Sequence, residues 1–367
     1  MRVITGLLMI SAGIATAAEP QQVDSIFTPL ADGKSPGVAV LVRKDDKTIV
    51  QRGYGVRDLR TFARINARTN FRLASFTKQF TAMAVMLLVH DGKLRYEDRL
   101  TGIFPDFPAY GRAITVRHLL THTAGLPDYE DLMGDGAWTE TRQIRDDEVL
   151  SLLKRQTTPR FAAGTSWAYS NSGYVVLGLI VAKVSGIPFG EFLRQSIFQP
   201  LHMNHTLAYV KGSNGVPNRA YGHTKRAEGF VETDQSSTSA TLGDGGVYSN
   251  LVDLAKWDQA LARHTLLSEA EMEPALTAVQ LAGGGETRWP EAPGGDNLNP
   301  GKPVSYGFGW FVDPYAGRPR MWHSGSTRGF STAIERFTAE RLTIVVLCNR
   351  TDLDASRLAL QVAEMSR

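Results

Sequence analysis

The sequence predicts an α+β fold in which an antiparallel sheet is flanked by N-terminal and C-terminal helices and carries an inserted helical lobe. Strand-like segments separated by short turns lie at both ends of the chain, and strands joined in this way pair antiparallel. The long middle of the chain has mainly helical patterns with irregular loops between them. A lobe inserted into a sheet domain leaves a cleft between the two, where ligand sites are common.

The N-terminal part predicts a short helix, a hairpin and a buried helix. The short helix lies near residues 22–30, and "GVAVLVRK" and "KTIVQRGYG" are two strands joined by a turn of two aspartates. From Phe76 to His90 the sequence is almost continuously apolar, and an Asp-Gly pair ends it. A helix that is apolar on all sides is buried, so this one is expected at the centre of the fold.

The rest of the chain predicts the lobe and then a return to the sheet. Helical patterns occur in "DDEVLSLLKRQ", "SGYVVLGLIVAKVSG", "PFGEFLRQSIF" and "NLVDLAKWDQALARH", and a Gly- and Pro-rich loop follows at residues 283–303. Strands are expected in "SYGFGWFVD", "PRMWHSGS", "GFSTAIERF" and "RLTIVVLCN", with a final helix from about Leu353. The predicted division is a signal segment at 1–17, a sheet domain at 18–80 and 304–367, and an inserted, mainly helical domain at 81–303.

The first residues, "MRVITGLLMISAGIATAAEP", have the order of an export signal. Arg2 gives a positive start, an apolar run follows from Val3 to Ile14, and small residues end it. The run is too short to span a bilayer, and no later segment reaches about 18 uninterrupted apolar residues. We expect cleavage near Ala17/Ala18 and a periplasmic or secreted protein without a membrane span.

The charge balance and the histidine pattern exclude several function classes. Lys plus Arg number 40 and Asp plus Glu 37, a net charge of only +3, so no nucleic-acid partner is predicted. The eight histidines form no metal-binding pair with nearby ligands, and the Gly-rich stretches lack the framing of nucleotide sites. We therefore expect no cofactor, no metal and no obligatory protein partner, but a small-molecule or peptide substrate.

Ser75 and Lys78, in "FRLASFTKQF", are candidates for a nucleophile and its proton acceptor. Ser75 immediately precedes the buried helix, where its hydroxyl can attack a carbonyl while its own N–H stabilises the developing oxyanion. Lys78 follows one turn later, and burial lowers the pKa of an amine, which lets it accept a proton. The alternative is that Ser75 only caps the helix. Ser151 and Lys154 have the same spacing, but they lie in a charged amphipathic helix.

Tyr169 and Asn171, in "WAYSNSGY", supply further polar groups. A phenol can relay a proton between Ser75 and a leaving group, and the Asn171 amide can orient Lys78 and bind a substrate carbonyl. The sequence leaves open whether Lys78 or Tyr169 is the base in each step. "YSN" recurs at residues 248–250, where the asparagine is predicted to cap the next helix.

His323, Gly325 and Ser326, in "MWHSGSTRGF", lie on a predicted strand beside the cleft. The glycine lets a substrate backbone lie close against the sheet. His323 is expected to supply a donor or a charge near Tyr169, and the Ser326 N–H is expected to be the second oxyanion donor. "HDG" at residues 90–92 has the same pattern but ends a helix, so each motif is informative only in combination with the others.

The combination of "SFTK", "YSN" and "HSG" resembles the serine β-lactamase and D,D-peptidase superfamily. Within it, the chain is most similar to the class C β-lactamases and their esterase and D-peptidase relatives. Supporting segments are "VRHLLTHTAGLPDY", "AGTSWAYSNSGYVVLG", "GDGGVYSNLVDLAKW" and "YGFGWF". The resemblance spans roughly residues 25–365 and implies the β-lactamase/D,D-peptidase-like fold.

The resemblance implies an exported serine hydrolase that acts on ester or amide bonds through an acyl-Ser75 enzyme, as an esterase or a D-amino-acid peptidase or carboxypeptidase. One residue departs from the β-lactamase pattern, because dedicated β-lactamases of this type usually carry Lys where this chain has His323. A class C-type β-lactamase is therefore the alternative. A penicillin-binding sensor or a non-catalytic binding protein with the same fold is the alternative from another class.

Overall fold

The computed structural model describes residues 19–30, 32–134, 136–291 and 299–366. The predicted signal segment at 1–17 and its cleavage point near Ala17/Ala18 lie outside these residues. The strands are β1 Val38–Lys44, β2 Lys47–Tyr54, β3 Val56–Asp58, β4 Ala63–Arg64, β5 Phe71–Arg72, β6 Leu207–Ala208, β7 His223–Arg226, β8 Gly229–Glu232, β9 Val247–Ser249, β10 Met321–Thr327, β11 Phe330–Phe337 and β12 Leu342–Cys348. The α-helices are α1 Pro20–Phe27, α2 Lys78–His90, α3 Leu100–Ile103, α4 Val116–Leu120, α5 Tyr129–Leu132, α6 Asp146–Lys154, α7 Asn171–Ser185, α8 Phe189–Leu193, α9 Leu251–Ala262, α10 Glu269–Leu276 and α11 Ala355–Glu364.

Strands from both ends of the chain form one five-stranded antiparallel sheet with the order β10-β11-β12-β1-β2. Its centre is the pairing of β1 with β12, in which Val38 lies opposite Cys348. Helices α1 and α11 cover one face, where Phe27 and Val362 pack into the same apolar cluster as these two strands. The predicted α+β architecture, with terminal helices flanking an antiparallel sheet, is therefore confirmed.

Two predicted elements of the N-terminal part have the expected form. Asp45 and Asp46 connect β1 to β2 with positive φ angles of 50° and 64°, as a two-residue hairpin turn requires. Helix α2 is buried on nearly all sides, and it packs most extensively against α7 in the main core of the molecule. Because α2 begins at Lys78, its N-terminus places the "SFTK" segment between the sheet and the lobe.

One predicted strand is absent. Residues 305–313 make only isolated bridges, from Tyr306 to Phe311 and from Phe311 to Trp322. A tight turn replaces the strand, because Gly307 N–H donates to the Trp310 carbonyl at 2.8 Å and Gly309 adopts a φ of 78°. The turn packs on the first residues of α2. The alternation of aromatic residues and glycines resembled a strand, but the glycines serve this close approach instead.

The lobe and the segment that leads into it contain short strands that the helical pattern did not predict. Strands β5, β9 and β6 form one small sheet, and β7 and β8 form a separate hairpin. Segments of two to four residues are too short to show an alternating pattern. Among the described residues no single helix is long and apolar enough to cross a membrane, and only the bent pair Asn171–Ser185 and Phe189–Phe198, with 77° between its halves, reaches that length.

A buried carboxylate ties the lobe to the sheet. Asp258 on α9 accepts hydrogen bonds from Arg43 of β1 at 2.8 Å and from Arg336 of β11 at 2.9 Å. Thr343 of β12 donates a third at 2.7 Å. Three strands are thereby joined to one helix of the lobe.

Candidate active site

Ser75 lies in a single 3₁₀ turn, Ala74–Thr77, that leads from β5 into α2. The preceding residues are held by the Leu73 N–H, which donates to Val247 at 2.9 Å, and by the Leu73 carbonyl, which accepts from Thr332 at 2.8 Å. Ala74 then adopts a φ of 50°, a left-handed conformation that costs a non-glycine residue about 1 kcal/mol or more. The strained turn reverses the chain so that Ser75 lines the cleft.

Lys78 is fully buried, and its ammonium nitrogen contacts oxygen atoms from three separate segments. Nζ lies 3.0 Å from Ser75 Oγ, 2.8 Å from Asn171 Oδ1 and 3.1 Å from the Asp244 carbonyl oxygen. The rings of Tyr169 and Tyr174 face the same nitrogen at 4.8 and 5.5 Å. The predicted pair Ser75 and Lys78 is thus in direct hydrogen-bonding contact.

These three contacts suit a proton acceptor. As an ammonium, Lys78 donates to the Ser75, Asn171 and Asp244 oxygens. Once it has lost one proton, the amine can keep the N–H groups that face Asn171 and Asp244 and turn its lone pair to the Ser75 hydroxyl. Proton transfer from Ser75 to that amine therefore needs no rearrangement of the lysine.

Asn171 is the first residue of α7. Ser170 caps this helix, since its Oγ accepts from the Gly173 N–H at 3.1 Å. Asn171 is 7% exposed and lines the same cavity as Ser75, so its side chain joins Lys78 to the cleft. The predicted orienting contact between the Asn171 amide and Lys78 is present at 2.8 Å.

Tyr169 stands in an aromatic cluster and is positioned by His122, which the sequence analysis did not select. The His122 carbonyl accepts from the Ala168 N–H at 3.0 Å, and its Nδ1 accepts from the Ser170 N–H at 3.1 Å. The imidazole also lies 4.4 Å from the Tyr169 ring, centre to centre. Burial, and after it the charge of Lys78, holds the pKa of His122 well below its usual value, so the ring is neutral. His122 thus fixes the residues on both sides of Tyr169.

His323 is buried behind the cleft as a neutral imidazole. Its Nδ1 donates to the Ser324 carbonyl at 2.6 Å, and its Nε2 lies 3.1 Å from the Tyr306 hydroxyl. Burial, with the nearby charge of Lys78, lowers the pKa of His323 to about 3. The ring centre is 6.3 Å from that of Tyr169. The predicted proximity to Tyr169 is present. At neutral pH, however, His323 supplies no charge, because burial disfavours the protonated form of the ring.

The free edge of β10 supplies the backbone donors of the cleft. Trp322 exchanges hydrogen bonds with Phe311 on the side away from β11, both at 2.9 Å. In an antiparallel pair every second residue points the same way, so Ser324 and Ser326 also direct their backbone groups to this free edge. The Ser326 N–H therefore faces the cleft that Ser75 lines, as a second oxyanion donor must.

Gly325 allows the edge strand to approach the nucleophile. A Cβ atom at this position would lie 2.1 Å from the Leu73 carbonyl oxygen and 3.1 Å from the Ser75 nitrogen. Only a residue without a side chain permits the two candidate oxyanion donors to converge.

We expect Gly325→Ala to lower kcat by about 10²-fold, comparable to the loss of one oxyanion donor. The added methyl group must push β10 away from the Ser75 turn. The measurement is kcat for a nitrophenyl ester, with Gly215→Ala as control, because an added Cβ meets no atom within 4 Å there and the backbone of Gly215 is not in the left-handed region. Equal kcat values for the two variants contradict the proposed contact between strand and turn.

The catalytic cavity has a volume of about 300 Å³ and a polar lining. Asp244, in the "GDGG" segment, also lines this cavity and accepts from the Tyr129 hydroxyl at 3.2 Å. Burial raises the pKa of Asp244, while the charge of Lys78 opposes that rise. Among the described residues no cluster of three or more His, Cys, Asp or Glu side chains could hold a metal.

The three repeated motifs lie where the sequence predicted. Ser151 and Lys154 are in α6, and Lys154 pairs with Asp106 at 2.6 Å on the surface. Asn250 caps α9 by accepting from the Asp253 N–H at 3.1 Å. The motif at residues 90–92 ends α2. None of these groups shares the cavity that Ser75 lines.

Several groups of the site were missed by sequence reasoning. They are His122, Tyr306, Asp244 and the aromatic residues Trp167, Trp289 and Phe311 around Tyr169. His122 and Asp244 lie within two segments that resemble family segments. The sequence therefore indicated that these segments matter, but it assigned no role to either residue. Trp289 comes from the Gly- and Pro-rich loop, whose composition indicates no partner for it.

Comparison with known proteins agrees with this geometry. The family described as Beta-lactamase matches residues 23–365. Penicillin-binding protein 4* of Bacillus subtilis (strain 168) is 30% identical over 358 residues, which are 94% of this chain and 75% of the relative.

Two solved structures share the fold. A penicillin-binding protein from Bacillus halodurans superposes with a TM-score of 0.75 at 24% identity, covering 94% of this chain and 98% of the other. A D-amino acid amidase from Ochrobactrum anthropi SV3, complexed with D-phenylalanine, gives a TM-score of 0.75 at 22% identity, covering 95% and 99%. With the family match over nearly the whole length and the Ser75–Lys78 contact, the chain belongs to the Beta-lactamase family and is a serine hydrolase.

Proposed function

We propose that this protein is an exported esterase or D-amino-acid amidase or peptidase that works through an acyl-Ser75 enzyme. The observation that carries the proposal is the buried Lys78 amine, 3.0 Å from Ser75 Oγ and held by two further oxygens. The export signal predicted at 1–17 supports a periplasmic or secreted location. The similarity to a D-amino acid amidase fold supports amides of D-amino acids as one substrate class.

The reaction follows from the placement of the groups. Ser75 Oγ forms a bond to the substrate carbonyl carbon while its proton passes to Lys78, and the Ser75 and Ser326 N–H groups face the oxyanion. The bond to the leaving amine or alcohol then breaks, and a proton returns to the leaving group through Lys78 or Tyr169. Water attacks the acyl carbonyl, which releases the acid and restores the Ser75 hydroxyl.

The absence of a cation at position 323 favours substrates without a carboxylate next to the scissile bond, because His323 is neutral and both of its ring nitrogens already contact Ser324 and Tyr306. A fixed cation binds a carboxylate through charge-assisted hydrogen bonds, whereas a neutral group binds it more weakly. His323 stays neutral because burial lowers its pKa to about 3. Simple esters and amides lose little from this, but β-lactams and D-Ala-D-Ala termini lose an anchor. Because β-lactams lose this anchor, a β-lactamase is the second candidate and not the first.

We expect His323→Lys to raise the ratio of cephalosporin to ester turnover, by about tenfold if the new ammonium group forms a charge-assisted bond to the carboxylate. The measurement is kcat/KM for a chromogenic cephalosporin and for a neutral nitrophenyl ester, in the wild type and the variant. His323→Gln, which introduces no charge, is the control. Efficient cephalosporin hydrolysis by the wild type, with poor ester hydrolysis, would promote the β-lactamase alternative.

A substrate panel tests the proposed function. It contains a short-chain nitrophenyl ester, a D-amino-acid amide, a D-Ala-D-Ala peptide and a chromogenic cephalosporin. We expect repeated turnover of the ester or the amide, faster than that of the cephalosporin. A stable covalent adduct without product release would instead identify a penicillin-binding sensor. Recovery of unprocessed protein beginning at Met1 from the cytoplasm would contradict export.

A further inference from the structure

A second, outer chamber adjoins the catalytic cavity. It has a volume of about 550 Å³, and its wall includes Trp138 and Glu140 of the loop between α5 and α6. Ser236, Ser237 and Arg328 line both the outer chamber and the cavity that contains Ser75. A substrate that extends from the cavity in this direction must pass these three residues.

Arg328 occupies a fixed position between the two spaces. It is the first residue of the two-residue turn that joins β10 to β11, directly after the edge strand of the catalytic cavity. The next residue, Gly329, has a φ of 80°, and its carbonyl accepts from the His223 N–H at 3.2 Å. Because the turn is anchored in this way, the guanidinium group is presented from a rigid hairpin rather than from a loose loop.

Glu140 faces Arg328 from the opposite wall and forms an ion pair with it. Its backbone is held in a turn in which Thr139 N–H donates to the Arg142 carbonyl at 2.9 Å, and the Gln143 side chain donates to the Glu140 carbonyl at 3.0 Å. The two side chains of the pair are 44% and 61% exposed. An exposed pair of this kind stabilises a protein by only about 0–1 kcal/mol. Its main consequence is electrostatic, because the positive charge of Arg328 and the negative charge of Glu140 neutralise each other.

Arg328 differs from the other arginine that lines the catalytic cavity, because the Arg328 side chain is exposed. The other arginine, Arg72, is buried at 4% exposure and directed at the carbonyls of Ser239 and Gly245. His323 is neutral, so Arg328 is the cation that a substrate carboxylate at the cleft mouth would meet. An arginine binds carboxylates in a bidentate manner, and Glu140 occupies that position instead.

We propose that Glu140 masks Arg328 as a carboxylate receptor, and that this ion pair sets the charge of the substrates that the enzyme accepts. With the pair intact, Arg328 and Glu140 together add no net charge to the mouth, and neutral acyl groups are preferred. Glu130 also lines the catalytic cavity, but its contribution is the same in every variant compared below. The inference rests on the proposed hydrolase function and names its substrate class as esters and amides without a distal carboxylate. Removing either partner leaves one uncompensated charge, and removing both restores neutrality.

Three nitrophenyl esters with acyl chains of equal length test this inference: glutarate, with a distal carboxylate; valerate, which is neutral; and 5-aminovalerate, with a distal ammonium. We expect Glu140→Gln to raise the ratio of glutarate to valerate kcat/KM by about threefold to tenfold, as an exposed charge pair allows. Arg328→Gln should lower that ratio and raise the ratio of 5-aminovalerate to valerate. The double variant should return both ratios to wild-type values. The changes should shrink at 1 M salt, where the Debye length falls to about 3 Å.

The control variant is Asp147→Asn, which removes one charge from an exposed pair on the same lobe that lines neither space. It should leave all three ratios unchanged. If the Arg328–Glu140 pair only fastens the loop, both single variants will change all three esters in parallel, and the masking role is wrong. Normal valerate turnover with constant ratios overturns the inference alone, whereas no turnover of any of these esters, of the D-amino-acid amide or of the D-Ala-D-Ala peptide overturns it together with the proposed function.

Discussion

Ser75→Ala should lower kcat by at least about 10³-fold for every substrate that the enzyme turns over, because it removes the group that forms the covalent bond. The folded structure should persist, since the Ser75 side chain is partly exposed at the cavity and the turn is held through Leu73 and Thr77. The measurement is kcat for the best ester, together with the thermal midpoint by circular dichroism. Trapping of an acyl adduct should also disappear from the variant.

Ser151→Ala is the matched control, because Ser151 has the same spacing to a lysine. Its hydroxyl donates only to the Asp147 carbonyl of its own helix, at 2.8 Å. We expect kcat within about twofold of the wild type, as for a surface substitution away from the site. A large loss at Ser151 and a small one at Ser75 would reverse the assignment of the nucleophile.

Lys78→Ala and Tyr169→Phe should each reduce kcat by orders of magnitude, about 10²-fold to 10⁴-fold for the loss of a proton-transfer group. The double variant should lose much less than the product of the two single effects, because groups that act as one unit are not additive. Lys78 Nζ lies 4.8 Å from the centre of the Tyr169 ring, so the two side chains adjoin, as the proposed relay requires.

The control for Tyr169 is Tyr248→Phe in the repeated "YSN" motif. The Tyr248 hydroxyl accepts from Arg219 at 3.0 Å, and Tyr248 is not among the residues that line the cavity of Ser75, so most activity should remain. Single and double kcat values under saturating ester give the coupling directly. Full additivity of Lys78→Ala and Tyr169→Phe would argue for two independent roles instead of a shared relay.

The sequence was sufficient where local chemistry and long periodic segments determine the structure. The all-apolar run before His90 indicated a buried helix, and the terminal strands indicated an antiparallel sheet. The contact between Ser75 and Lys78 followed from helical spacing, because residues three apart share a face. These features depend on neighbouring positions in the chain, which is why a single sequence reveals them.

Features that depend on distant segments were not accessible in this way. Lys78 also contacts the backbone carbonyl of Asp244. Because almost every residue has a backbone carbonyl that could make such a contact, the sequence does not indicate which one lies next to Lys78. The role of His122 could not be predicted for the same reason. Its hydrogen bonds to Ala168 and Ser170 depend on the loop conformation, in which His122 itself has a φ of 61°. The neutrality of His323 depends on burial, which its strand alone does not specify.

The central pairing of the sheet also has a consequence for how the chain folds. Gly37 and Asn349 are joined by a hydrogen bond of 2.8 Å across 312 positions of sequence. Closing so long a loop is entropically costly, and contacts of this range slow folding. The central pairing cannot form until the last strand is available, so a growing chain cannot complete its sheet before β12 has been made. Truncation before β12 should therefore leave β1 as an open edge that pairs with other chains and aggregates.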